Sequence, residues 1–271
     1  MQSVIKRVLM CRPLYFSSFD YIINPWMQTA SINPKKALKQ WENLVQVYKD
    51  LGITVEIINQ VKGLPDMVFS TDQSLIFGNN VLLSRFRYKE RQGETPFYAE
   101  WYKNHGFEIV QLPQELYFEG NGTMHFWNDK LFVAIGYRTD VPVCRYLQKL
   151  FPDIEVVQLH TRAPAFYHFD IGFFPLDDQT IFFSPDAYIP ESQKLLKNIV
   201  PNFIPLTRKE TEGFSANSIV TGKTVVRQKG NPTFGNKLAA LGYESIEVDL
   251  SEFKKSGGGI NCLTNILEMR E

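Results

Sequence analysis

Six residues, far apart in the chain, carry the chemically capable side chains: Asp72, Glu119, His168, Asp170, Asn217 and Cys262. A thiol, an imidazole, three carboxylates and an amide suit covalent catalysis. The thiol attacks as thiolate and a histidine gives and takes the proton. Taken singly, each has a plainer reading. Cys262 alone reads as a buried core thiol, as do Cys11 in an apolar strand and Cys144 in a helix. His168, among Phe166, Tyr167 and Phe169, reads as a core histidine, and Asp72, Asp170 and Glu119-Gly120 as turn residues. Asn217 reads first as a cap on backbone groups. Two features favour chemistry. Gly257-Gly-Gly ahead of Cys262 implies close backbone approach or unusual dihedrals. His168-x-Asp170 at the start of a strand would put both side chains on one face. His105, His125 and His160 read as structural or surface residues, and no His/Cys pair has zinc-ligand spacing, so no metal is expected.

What could bring distant residues together is a repeat. Five segments share one pattern of small or polar residues, an apolar strand, a tight polar turn and a second strand. They start near Phe69, Glu119, His168, Phe214 and Gly258. Asn, Asp and Gly in the turns tolerate the positive φ that two-residue hairpins need. Helix-period stretches follow, three of them ending at glycine before a strand. These are Lys35 to Leu51 with Gly52, Thr95 to His105 with Gly106, and Thr233 to Leu241 with Gly242. Val143 to Phe151 with Ile154 to Leu159 repeats the unit without glycine, and Glu191 to Val200 with Phe203 to Leu206 is a weaker copy. Five hairpin–helix–strand units imply an α/β ring of roughly five-fold symmetry, because stacked units bury faces that one unit cannot. Val4 to Cys11 is expected to complete the fifth unit by pairing with the C-terminal hairpin. The six residues stand at the starts of the hairpins and so would converge on the axis.

The composition is that of a globular chain, with 44% apolar and 21% charged residues over 271 positions. One catalytic domain over residues 1–271 is expected. Lys+Arg and Asp+Glu both number 29, so the basic surface that displaces phosphate counterions is missing and no nucleic-acid partner is expected. No apolar run suits a bilayer, and the start of the chain is broken by Lys6, Arg7 and Arg12, so neither a membrane partner nor a signal peptide is expected. Three scattered cysteines suit a reducing cytoplasm. The chain is compatible with a homo-oligomer.

The motifs Pro65-Asp-Met-Val-Phe-Ser-Thr-Asp72, Phe118-Glu-Gly120, Tyr167-His-Phe-Asp170 and Gly257-Gly-Gly-Ile-Asn-Cys262 resemble those of the guanidino-group-modifying enzymes. That superfamily includes arginine deiminases, arginine dihydrolases, amidinotransferases and dimethylarginine dimethylaminohydrolases. Leu9-Met-Cys-Arg-Pro13, Ile23-Asn-Pro-Trp-Met27 and Ser84-Arg-Phe86 resemble the arginine dihydrolase branch most closely. The resemblance runs through the whole chain in order and implies a five-bladed α/β propeller, the pentein fold. It also implies C–N hydrolysis of arginine or a close analogue, a small-molecule guanidino substrate, and no cofactor. On this reading Asp72 and Asp170 clamp the guanidinium, whose N–H fork suits paired carboxylates. Cys262 attacks the central carbon and His168 serves as acid and then base. Glu119 orients His168 and accepts a guanidinium N–H. Arg138 and Arg85 are candidate anchors for the α-carboxylate, and Asp66 a turn residue or substrate contact. The resemblance leaves the product open between citrulline, ornithine and a transferred amidino group. Asp72 stands where dihydrolases carry Asn and deiminases Asp. Asn261 stands where many relatives carry His, and Thr123 to Trp127 depart from the small and acidic residues expected there. A dimethylarginine hydrolase is a further alternative, though that branch lacks the Asp of His-x-Asp; a non-catalytic binding member is another.

Overall fold

The computed structural model describes residues 3–17, 19–27, 31–162 and 164–270. Five three-stranded sheets form five copies of one unit. In each, an antiparallel pair is followed by a helix and a third strand lying parallel to the second. The first unit comprises Ser74–Phe77, Asn80–Leu83, helix Thr95–Asn104 and Glu108–Val110. The second comprises Met124–Trp127, Lys130–Ile135, helix Val141–Leu150 and Glu155–His160. The third comprises Phe173–Pro175, Thr180–Phe183, helix Pro190–Ile199 and Asn202–Pro205. The fourth comprises Ile219–Thr221, Thr224–Gln228, helix Pro232–Ala240 and Glu244–Val248. The fifth joins the two ends of the chain. Asn265–Arg270 pairs antiparallel with Val4–Arg12, which pairs parallel with Thr54–Asn59 after helix Pro34–Asp50. The expected α/β propeller is present, and the N-terminal strand is the middle strand of its fifth blade.

Local sequence explains the elements. Asn128, Gly78 and Gly222 occupy hairpin turns at φ 53°, 56° and 54°, the region such turns demand. Each of the five helices carries proline at its first or second position, where the missing N–H costs nothing in the first turn. The apolar clusters explain why no unit stands alone. Leu75 and Leu82 of the first sheet pack with Val143, Cys144 and Leu147 of the second helix. Phe174 and Phe182 of the third sheet pack with Phe234 and Leu238 of the fourth helix. Leu9, Cys11 and Ile58 of the fifth sheet pack with Tyr98 and Tyr102 of the first helix. Strands of one blade thus share a core with the helix of the next.

The hairpin starts differ from expectation. The chain reaches the first strands through short helical turns, Ser70–Gln73, Gly120–Thr123 and Phe169–Ile171. His168 is extended ahead of the last of these, Asp170 lies within it, and the strand starts only at Phe173. Strand alternation therefore does not bring these two side chains together. Phe169 and Ile171 sink into an apolar cluster and the Gly172 N–H closes the turn onto the Phe169 carbonyl, which leaves His168 and Asp170 at the axis.

Candidate active site

The glycines ahead of Cys262 do what the sequence suggested. Gly257 sits at φ +87°, and a Cβ there would lie 2.6 Å from Asn24 Oδ1. A Cβ on Gly258 would run into the Phe69 ring, and one on Gly259 would lie 2.8 Å from Asn217 Oδ1. The chain thereby packs closely enough to place Cys262, 4% exposed, at the axis. Its Sγ lies 3.1 Å from Asp170 Oδ2, to which the thiol donates. Asn217 Nδ2 donates to Sγ at 3.0 Å and to Asp170 Oδ2 at 2.7 Å, and Asn261 Nδ2 to the same oxygen at 3.0 Å. Burial, then the Asp170 and Asp72 carboxylates, push the Cys262 thiol well above its ordinary range. Burial likewise raises the Asp170 carboxyl, against the pull of His168.

His168 stands between two carboxylates. Nε2 lies 2.7 Å from Glu119 Oε2, and Nδ1 lies 3.5 Å from Asp72 Oδ1. Glu119 is fully buried and is gripped by Arg138, whose Nη1 donates to both carboxylate oxygens at 3.0 and 2.8 Å. Burial alone would raise the Glu119 carboxyl; the Arg138 guanidinium and the His168 contact overcome it and hold the group at about 2. The other Arg138 nitrogen, Nη2, donates to the Ile23 carbonyl, and the Tyr88 and Tyr167 rings lie 4.5 and 4.8 Å from the guanidinium.

Asp72 is fixed from behind. Arg91 Nη1 donates to Asp72 Oδ2 at 2.7 Å, and Arg91 is itself held by both oxygens of Glu94. Two buried carboxylate oxygens, Asp72 Oδ1 and Asp170 Oδ1, accept no hydrogen bond among the described residues. Two open acceptors beside one sulfur suit a flat cation with several N–H donors. A narrow cleft opens beside Asp72 and the sulfur, lined by Asp66, Asp72, Arg91, Arg138, His168 and Cys262 among others, with Asp170 behind the sulfur and outside that lining.

The fold therefore brings Cys262, His168, Glu119, Asp72 and Asp170 together. Asp66 also lines the cavity, with the Tyr21 hydroxyl donating to its Oδ2 at 2.7 Å. Arg138 lines it too, but as the partner of Glu119. Arg85 is not brought there: its guanidinium donates to the carbonyls of Gln114 and Leu112 and fastens that loop. Three participants were not anticipated. Arg91 stands among three other polar residues in Lys89–Gln92, a segment given no role from the sequence. Tyr167 was given no role of its own, although its place in the histidine motif was a signal. Gly122 is required where it stands, since a Cβ there would meet Asp72 Oδ1 and lie 3.2 Å from His168 Nδ1.

A sequence profile of the family described as "N,N dimethylarginine dimethylhydrolase, eukaryotic" matches residues 16–269. The chain belongs to this family. Among relatives, the bifunctional arginine dihydrolase/ornithine cyclodeaminase ArgZ of Synechocystis sp. is 35% identical over 264 residues, 95% of this chain and 37% of that protein. The family member named N(G),N(G)-dimethylarginine dimethylaminohydrolase in Mycobacterium tuberculosis is 34% identical over 260 residues, 96% of this chain and 85% of that one. The N-terminal domain of ArgZ, solved covalently bound to a reaction intermediate, superposes with TM-score 0.91 at 34% identity over 97% of this chain and 99% of that one. The chain spans little more than a third of the length of the cyanobacterial relatives. Membership of the guanidino-modifying superfamily near the arginine dihydrolases agrees with the sequence motifs. Among the described residues no helix is long and apolar enough to cross a membrane.

Proposed function

We propose that this chain hydrolyses a guanidino C–N bond of arginine or a close analogue through an amidino group carried on Cys262. The observation that carries the reading is the pair of open carboxylate oxygens, Asp72 Oδ1 and Asp170 Oδ1, at a site whose sulfur lies 3.1 Å from Asp170. A guanidinium brings N–H donors for both oxygens and a positive charge beside a thiol that the same carboxylates keep protonated. Substrate binding thus favours loss of the thiol proton to solvent, and nucleophile and substrate are activated together. The thiolate attacks the guanidinium carbon and a C–S bond forms. His168 gives a proton to the departing nitrogen as the C–N bond breaks. It then takes a proton from water, which attacks the same carbon and releases the sulfur. Arg138 holds Glu119, and Glu119 holds His168.

Asp170 favours an unsubstituted guanidine, since a dimethylated nitrogen has no N–H to offer a carboxylate. The family's name and the M. tuberculosis relative support dimethylarginine as the second reading. Incubation with arginine, dimethylarginine and other guanidino compounds, with products identified by mass, decides between them. Ammonia from arginine is expected. Dimethylamine from dimethylarginine, with arginine untouched, selects the second reading, and consumption of no guanidino compound sinks both.

A further inference from the structure

Asn217 is fully buried at the start of the fourth hairpin and spends its whole hydrogen-bonding capacity at the nucleophile. Its Oδ1 accepts the backbone N–H groups of Asn261 at 2.9 Å and Cys262 at 3.3 Å. Its Nδ2 gives one N–H to Cys262 Sγ and the other to Asp170 Oδ2, at 3.0 and 2.7 Å. A backbone cap needs only the oxygen; the contact of Nδ2 with sulfur lies outside that role.

The chain that leads into Asn217 holds an unfavourable backbone conformation. Phe214, buried at 1% exposure, sits at φ +61°, in the left-handed region where a bulky side chain is strained. It follows the helix Arg208–Glu212 and Gly213, and its carbonyl accepts the Asn217 N–H at 3.1 Å. Glycine at that turn would adopt the conformation without strain. The chain instead accepts it while packing Phe214 edge-on against Trp26, 5.3 Å between centroids. Strain of this kind gathers at functional sites, where the surroundings over-determine it. Gly259, which has room for no Cβ beside Asn217 Oδ1, completes the fit.

We propose that Asn217 is a catalytic residue: its amide N–H is the donor that stabilises the Cys262 sulfur, once its proton is lost, as a thiolate beside the Asp170 carboxylate. A thiolate 3.1 Å from a carboxylate oxygen is opposed by repulsion, and one amide group donating to both anions offsets it. The inference rests on the reading of Cys262 as nucleophile. It does not rest on which guanidine is the substrate.

The test follows alkylation of Cys262 by neutral iodoacetamide against pH, read by intact mass on the full chain, in wild type, Asn217→Ala and Asn217→Ser. Thermal unfolding confirms that each variant is folded. With the donor removed, Asn217→Ala should move the alkylation profile up by a pH unit or more, equivalent to a tenfold slower reaction at fixed pH below the midpoint. In turnover of arginine, kcat should fall at least tenfold with KM changed less than threefold. Asn217→Ser keeps a hydroxyl donor, tolerates the site if the alanine variant unfolds, and should recover part of the shift. An unmoved alkylation profile in folded Asn217→Ala overturns the proposal, as does a shift in Asn217→Ser equal to that of the alanine variant; where alanine unfolds, Asn217→Leu, which also lacks a donor, takes its place. Because alkylation needs no substrate, a protein inert to arginine whose profile still shifts would sink the proposed substrate and leave this inference standing.

Discussion

Arg138 Nη1 reaches both carboxylate oxygens of Glu119, at 3.0 and 2.8 Å, in a site where Arg138 is 2% exposed and Glu119 fully buried. The pair lies one step behind His168, so its integrity bears on the orientation of that ring, the acid/base of the proposed mechanism.

Removing one partner leaves the other as an uncompensated buried charge, which typically costs about 3–5 kcal/mol. Arg138→Ala should therefore lower the unfolding temperature sharply and abolish turnover. The pH dependence has a definite sign. Glu119 is depressed from an ordinary 4.5 to about 2 in the fold, so its contribution to stability is present above about 4.5 and is lost as pH falls toward 2. Unfolding temperature measured from pH 7 to 2 should fall less steeply for Glu119→Gln than for wild type over that window. Parallel curves would show that Glu119 does not carry this charge.

The three cysteines should separate by reagent. All are buried free thiols, and burial raises Cys11 and Cys144 as well as Cys262. Only Cys262 lines the cavity with carboxylates beside it. A haloacetamidine, which brings its own positive charge, should label Cys262 at neutral pH faster than neutral iodoacetamide does, and should spare the other two. Iodoacetamide labelling should rise about tenfold per pH unit, because the thiolate fraction does. Cys262→Ser should fold and lose nearly all activity; wild-type turnover in that variant excludes the mechanism.

Gly122 is a test of packing at the site. A methyl group there collides with Asp72 Oδ1 and presses on His168 Nδ1, while Arg91 prevents Asp72 from retreating. Gly122→Ala should lose about a hundredfold in kcat/KM, the scale of a misplacement near 1 Å. Activity within threefold of wild type would show that the Asp72–His168 spacing is not critical.

Asp72 bears on the product. A carboxylate attracts the guanidinium of the substrate, and the neutral ureido group of citrulline lacks that charge. An amide could hold the ureido group through a donor and an acceptor and permit a second hydrolysis. The enzyme is expected to stop after one cleavage, with an ammonia-to-arginine ratio near one. Asp72→Asn should weaken arginine binding by roughly 10- to 100-fold, the worth of a charge-assisted hydrogen bond, and should raise the share of ornithine. A wild-type ratio near two, without free citrulline, would show that Asp72 does not set the outcome.

Much of the architecture was legible in the chain because its signals are local. Turn residues such as Asn128 and Gly222 need positive φ, helices such as Pro34–Asp50 carry an apolar face, and the five copies share one register. That register alone named Cys262, His168, Glu119, Asp72 and Asp170 as residues that meet. The fate of each polar atom was not legible, since it depends on neighbours supplied by other blades. Arg85 and Arg138 looked alike as anchors, yet one fastens a loop and the other holds Glu119. Arg91 gave no sign of itself because its partners Asp72 and Glu94 become partners only when the ring buries all three. His168 and Asp170 do face the site, through a helical turn that strand periodicity could not foresee. The residue types capable of chemistry were set by sequence; which oxygens stay open, and which thiol meets a carboxylate, was decided by burial around a shared axis.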